Sequence, residues 1–582
     1  MAVLLKILQW MKQKKIVWFL LVSITFMLSR GLELDQFVTT DETPWLMRSG
    51  NFYYALGQRD FINTDQGINP GVTTMWVNTA AFLLEAPQYR GFGQGYYEHY
   101  VDFDRFVLAN NIDAHQILIT GRKLMLVENL VLFLIAFGFS IKLVGLWPSL
   151  TGFLLLALDP FHIALTRVSH MDGQLSSLMM VSFLALLVYL RHGQQKTPLV
   201  ISAITTSLAF LTKLPAYVLL PVFSVIYLAT LLQQWKQARV SPGLFCPWFW
   251  KCLKHALLFA GIIFAVYIVL WPAMWVAPVK TVVDQVSAPF IFLPEGEEGN
   301  EDNSEVVSRE EDNGETNFAK KLMHNSESIL WQTTPIVIFG VFTAIITFIS
   351  QKGVFFQKRN RYAGYVFLLY ILLYVCAVTL ADKRNIRYMI PAYSILVQMA
   401  GFGLLSTTMW VCEINRKWVK GVFLTVITAS IIYFQIIPVV SSYPYFFSYY
   451  NPLMGGSRQA GVSRHVGSGE GLDEAARYLN MKTDAQDLTA MSWYGSGCFS
   501  YYFSGTTIII PTTIGDEYIY ENAGNADYLV IYNNQWRRQV PPELIAALAT
   551  IIPEKTIWIN DIEYVRIYEI AALPSSYLNR IK

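Results

Sequence analysis

What most constrains this chain is a succession of apolar stretches, each long enough to cross a bilayer and each closed by a short polar turn. They fall at residues 14–31, 119–141, 147–165, 171–190, 198–212, 214–232, 255–276, 331–350, 362–381, 388–409 and 418–439, which predicts a multi-pass α-helical membrane protein with about eleven transmembrane helices. In lipid such a stretch must satisfy every backbone N–H and C=O internally, so a helix is the form open to it. The first follows Lys6, Lys12, Lys14 and Lys15 and lacks a small-residue cleavage site, which reads as an uncleaved anchor with a cytoplasmic N-terminus. Only 15% of the 582 side chains are charged, against about a quarter in soluble chains, and this excludes a soluble fold. A net charge of +2 gives no basic field to argue for nucleic acid as a partner.

The placement of charge tests the topology. Eighteen Lys and Arg lie on the short segments expected inside, between Lys6 and Lys420. The loop at 277–330, expected outside, carries the acidic run EGEEGNEDNSEVVSREEDNGE. The positive-inside rule thus supports each reversal and puts the C-terminus outside, in what is expected to be a bacterial plasma membrane. The run 294–316 reads as a disordered loop without a function of its own. In the first outer loop, 32–118, the stretch TTMWVNTAAFLLE is too short to span and is expected to lie in the interface.

Composition changes past Tyr443. Residues 1–442 are expected to form the membrane domain and 443–582 a small exofacial α/β domain, with helices at GLDEAARYLNM and PPELIAALATI. Its strands are expected at LTAMSWY, TTIIIPT, ADYLVIYNN, KTIWIN and EYVRIYEI. Its aromatic entry, SYPYFFSYYNP, reads as an interfacial belt. Of five cysteines only Cys498 is expected outside, so no external disulfide forms within one chain, and no zinc-type spacing occurs.

Ionisable groups at membrane-helix ends are costly unless paired or wet, and here they gather at the outer ends. Asp41 and Glu42 follow the first helix, and Arg167, His170 and Asp172 fill the turn between the third and fourth. Lys213 sits in the turn LTKLP, and Asp382, Lys383, Arg384 and Arg387 lie between the ninth and tenth helices. Carboxylates beside cations suit one chemistry: an acceptor hydroxyl loses a proton while a phosphate leaving group gains charge. Taken singly, each residue is as readily a snorkelling anchor or a helix cap. Asp102 and Asp104 form a D-x-D on the first outer loop, a weak metal signal.

At these residues the sequence resembles the lipid-carrier-dependent glycosyltransferases of family 39, which have the GT-C fold and include protein O-mannosyltransferases and the lipid A aminoarabinose transferase. TTDETPW matches the family's Asp-Glu motif, which implies a general base at Asp41 with Glu42 in support. DPFHIALTRVSHMDG resembles its Pro/Arg/Asp stretch, implying that Arg167 and Asp172 share the catalytic cavity, with His170 beside them. LTKLPAYVLLP is similar to its Thr-Lys turn and points Lys213 at the carrier phosphate; KRNIRYMIPAY implies phosphate contacts for Arg387 and Arg384. YNPLMGG and GEGLDEAARYLN resemble the start of the outer domain in bacterial members. No MIR-type repeat is found, which disfavours the protein O-mannosyltransferase subgroup. The resemblance implies an inverting transfer from a polyprenyl-phosphate sugar to an exofacial lipid, glycan or protein, with no cofactor and no metal. A transporter or lipid-linked sugar flippase is the alternative, although the sequence shows neither the repeated halves nor the broken helices with midplane charges usual in such proteins, and its odd charges keep to one face. A scaffold acting through the outer domain is the third reading.

Overall fold

The computed structural model describes residues 15–67, 69–192, 194–238, 245–291, 318–381, 385–510 and 516–574. Among them eight helices are long and apolar enough to cross a membrane: Ala114–Val144, Met171–Arg191, Leu214–Leu232, Phe249–Leu270, Pro335–Phe356, Lys358–Leu380, Ile386–Glu413 and Lys417–Ser441. The helices Leu146–Ala157 and Pro160–Thr166 make a ninth if taken together. Each of the eleven apolar stretches is helical over most of its described residues, the first as Lys15–Arg30 and the fifth as the 17-residue Lys196–Thr212, with breaks at 158–159, 271–272 and 333–334. The chain is an integral membrane protein with a C-terminal sheet domain.

The sharpest departure from expectation lies in the third stretch. The helix expected over 147–165 breaks, and its halves are bent by 70°. Pro160 lacks the N–H that a continuing helix needs, and Asp159 instead starts a new one, its side chain accepting from the His162 N–H at 2.9 Å. The bend delivers Arg167 and the turn after it to the sheet-bearing end of the bundle.

The first long loop folds into helices of its own, Glu42–Gln58, Val72–Glu85 and Tyr100–Ala109. The first and last were not foreseen. The acidic run lies outside the described residues, and on its two sides the chain forms the helices Pro278–Ile291 and Phe318–Gln332.

The five predicted strands are all present: β1 (Thr489–Trp493), β2 (Thr506–Ile510), β3 (Tyr528–Tyr532), β4 (Lys555–Ile559) and β5 (Ile562–Glu569). Their order is β2-β1-β3-β5-β4, with β1 parallel to β2 and β3, and β5 antiparallel to β3 and β4. The sheet and the first loop share one apolar core, in which Phe37, Val38, Tyr89 and Phe103 pack with Trp493, Phe499 and Leu529. Each large side chain buried there contributes about 1.5–3 kcal/mol, so the loop and the sheet domain form one joined body. The aromatic entry belongs to this packing too. Tyr445, Phe446, Tyr449 and Tyr450 are buried, and the segment is a core element rather than a belt facing lipid.

Candidate active site

Four separate segments bring their charges to one place. Asp41 stands at the N-terminus of the Glu42–Gln58 helix, but its side chain makes no cap hydrogen bond and pairs instead with Arg387 Nη1. Arg387 lies in a 3-10 turn, Ile386–Met389, fixed by the Asn385 side chain accepting from the Arg387 N–H. Its Nε lies 3.8 Å from Asp172 Oδ2. Asp172, in the first turn of the Met171–Arg191 helix, accepts from Lys213 Nζ at 2.8 Å through Oδ1. Lys213 ends the Lys196–Thr212 helix in extended conformation, with its ammonium 4.2 Å from the centre of the Tyr388 ring. Asp172 and Lys213 are buried, whereas the Asp41 side chain is 22% exposed and that of Arg387 14%. His170 Nδ1 lies 3.3 Å from Asp172 Oδ2, an oxygen that accepts no hydrogen bond.

The other expected members do different work. Glu42 is fully buried, and both its oxygens are taken. Oε1 accepts from Arg122 Nε and the Ser169 N–H, each at 2.7 Å, and Oε2 accepts from Arg122 Nη2 and from the N–H and hydroxyl of Thr39. Burial opposes its ionisation. The Arg122 charge and hydrogen bonds, with the Thr39 and Ser169 N–H groups, outweigh that and hold the carboxyl below the usual carboxylate range. Arg122 also donates to the carbonyls of Leu34, Gln36 and Phe37, so the pair shapes the segment that leads into Asp41. Arg167 donates to the carbonyls of Leu32, Glu33 and Pro444 and lies against the rings of Tyr443 and Phe446. It ties the first loop to the entry of the sheet domain, turned to backbone rather than to the cluster. Arg384, with Asp382 and Lys383, lies outside the described residues.

Asp102 and Asp104 do not converge on one ligand. Asp102 is exposed and pairs with Arg105, while Asp104 is buried against Ser496 and Tyr501. Among the described residues no group of three or more His, Cys, Asp or Glu gathers as a metal site would require. Sequence reasoning missed Arg122 and Tyr388. The available signal for Arg122 was a cation one turn into an apolar run, which needs a buried partner.

The assembled cluster offers a carboxylate that solvent reaches, beside two cations whose charge is balanced by a second, buried carboxylate. It can take up a proton and receive an anion at adjacent positions.

No protein-family model and no curated protein matches the chain. Among solved structures it is similar to ArnT from Cupriavidus metallidurans in the apo state, at 14% identity and a TM-score of 0.47 over 97% of this chain and 99% of that one. The same protein bound to undecaprenyl phosphate aligns at 12% identity and a TM-score of 0.44, over 96% and 98%. The Archaeoglobus fulgidus oligosaccharyltransferase in its apo form aligns at 10% identity and a TM-score of 0.44, over 92% of this chain and 71% of that one.

Proposed function

We propose that the protein is a glycosyltransferase of the GT-C type that moves a sugar from a polyprenyl-phosphate carrier to a hydroxyl acceptor at the outer face of a bacterial plasma membrane, with inversion and without a metal. The observation that carries this is the Asp41–Arg387–Asp172–Lys213 chain at the sheet-bearing end of an apolar helix bundle. Lipid carriers present their phosphates at such a depth.

Asp41 takes the proton of the acceptor hydroxyl, and the oxygen attacks the anomeric carbon from the side opposite the phosphate. The bond from that carbon to the phosphate oxygen breaks, and the lipid phosphate leaves with the electron pair. Lys213 and Arg387 receive its growing charge. Asp172 keeps both cations in place between turnovers, since without it a buried ammonium would stand uncompensated. A phosphate drawn to Arg387 competes with Asp41 for the guanidinium, so donor binding itself releases the base. Glu42, through Arg122, and Arg167, through its carbonyl contacts, fix the loop that carries Asp41.

Membranes containing the protein, incubated with a panel of labelled polyprenyl-phosphate sugars, are expected to move label from one donor to an acceptor, and Asp41→Asn membranes are not. Equal transfer by both would sink the assignment.

A further inference from the structure

The sheet domain has no role in the reaction as described, yet its strand ends point at the reacting segment. β1 lies between β2 and β3, and β3 turns to an antiparallel partner, so the connections from β1 and β3 diverge. In open α/β sheets such a switch point, at the carboxyl ends of the strands, is where a ligand sits. Here the Asp41 segment of the same chain reaches the loops around those ends.

Two loops grip it. In the turn 467–471 the Ser468 carbonyl accepts from the Thr40 N–H at 3.0 Å, next in sequence to Asp41. That turn is pinned to the end of β3, where the Tyr532 hydroxyl accepts from the Gly469 N–H at 2.9 Å and lies 3.1 Å from Glu470 Oε2. Gly469 has φ +108°, and a Cβ there would stand 2.5 Å from the Val38 carbonyl oxygen and 3.1 Å from Cys498 Sγ. The loop after β1 closes on the other side. Gly497 has φ +73°, and a Cβ on it would come within 2.0 Å of Thr43 Cγ2. The Tyr502 hydroxyl donates to the Asp35 carbonyl at 2.8 Å, while Ser496 and Tyr501 bond Asp104 of the same long loop. Contacts at 35, 38, 40 and 43 thus bracket Asp41, and two of them leave no room for a methyl group.

We propose that the C-terminal sheet domain is a working part of the active site, with the turn 467–471 and the loop 495–502 forming the seat that sets where Asp41 points, and with Gly469 and Gly497 as positioning residues. This rests on Asp41 being the base. A domain that shifted on this seat would move the base without touching donor or cations, so it acts on the chemical step and leaves donor affinity alone. A displacement of the base by about 1 Å is enough to cost about 100-fold in rate.

The test uses the full-length protein with Gly497→Ala, and the same change combined with Thr43→Ser, which removes the Cγ2 that the new methyl meets. Hydrogen exchange of the 36–45 segment reads the seat directly, and turnover of the labelled polyprenyl-phosphate sugars reads its consequence. Gly497→Ala is expected to speed exchange in that segment and lower kcat about 100-fold with donor KM within about two-fold of the parent; Thr43→Ser is expected to restore the part of both that comes from the methyl clash, while the strain of an alanine at φ +73° persists. Unchanged exchange with unchanged kcat overturns the proposal. So does a loss that Thr43→Ser leaves wholly unrepaired, because the contact with Thr43 then contributes nothing to it. Should Gly497→Ala not fold, Tyr532→Phe removes the anchor of the other loop; faster 36–45 exchange supports the seat and unchanged exchange refutes it. If the parent protein uses none of the donors, glycosyl transfer is what fails, while exchange and its rescue still decide the seat.

Discussion

Asp41 and Glu42 are neighbours in the chain and of the same chemical kind, and the fold treats them in opposite ways. Glu42 turns inward and meets Arg122, two backbone N–H groups and a hydroxyl, which leaves it no capacity for a substrate. Asp41 keeps part of its carboxylate toward solvent and has Arg387 as its ion-pair partner, a cation that also faces a second carboxylate. A saturated carboxylate holds structure, because breaking such a buried pair is expensive. One whose partner an incoming anion can draw away is fit for proton transfer. On the proposed mechanism the Asp-Glu pair divides its labour across one peptide bond.

Substitution should split the two roles cleanly. Asp41→Asn keeps shape and size, so thermal unfolding in detergent should stay near the parent value while glycosyl transfer falls about 100- to 10,000-fold. Glu42→Gln should act first on the fold, lowering unfolding stability by about 3–5 kcal/mol because Arg122 is left buried without its counter-charge, and any loss of transfer should follow from the loosened loop. The Glu42 carboxyl is held below the usual range, so its contribution is fully present above the unfolded-state pKa and is lost as pH falls through the folded one. Acid unfolding of the Gln variant should lose that component. Lys213→Ala should cost about 100-fold in kcat/KM for donor, the scale of removing one charged stabiliser from a leaving group. If Asp41→Asn unfolds as readily as Glu42→Gln, the contrast between the neighbours is lost.

Where the information was local, the sequence displayed it. Spanning helices and sheet strands announce themselves by length and by residue type over a few positions, which is why β1 to β5 lie where the alternation and the apolar runs put them. The break at Asp159-Pro160 was equally local, but its cap-and-proline signal was hidden inside an apolar run. Partners distant in sequence were harder to see. Glu42 and Arg122 are 80 residues apart, and nothing in either neighbourhood shows that one consumes the other. Arg167 looked like Arg387, a cation at a helix end. Only the fold shows that three carbonyls take the first, while two carboxylates face the second. The aromatic entry misled for a related reason, since a run rich in Tyr and Phe suits an interface and a core equally well until the neighbouring elements are placed.

Asp104 gives the smallest effect and the sharpest contrast with Glu42. It too is a buried carboxylate at a junction of the first long loop, here bonded by the Ser496 and Tyr501 hydroxyls of the sheet domain, but it has no cation to offset burial. Burial pushes its carboxyl up to about 6, against the two hydroxyl bonds that pull it down. The sign is then the opposite of that for Glu42. A folded pKa above the unfolded one means that the native state binds more protons in the interval between them, so stability falls as pH rises from about 4 to about 6 and levels off beyond. Asp104→Asn removes the charge and keeps an oxygen to accept from Tyr501. Its unfolding midpoint should therefore change less than the parent's between pH 4 and pH 6. At neutral pH the variant should be the more stable by about 1–3 kcal/mol, the scale of one desolvated charge relieved. Identical pH profiles for the two proteins would show that Asp104 is hydrated in the native state and that the junction between loop and sheet domain is looser than the Ser496 and Tyr501 contacts imply.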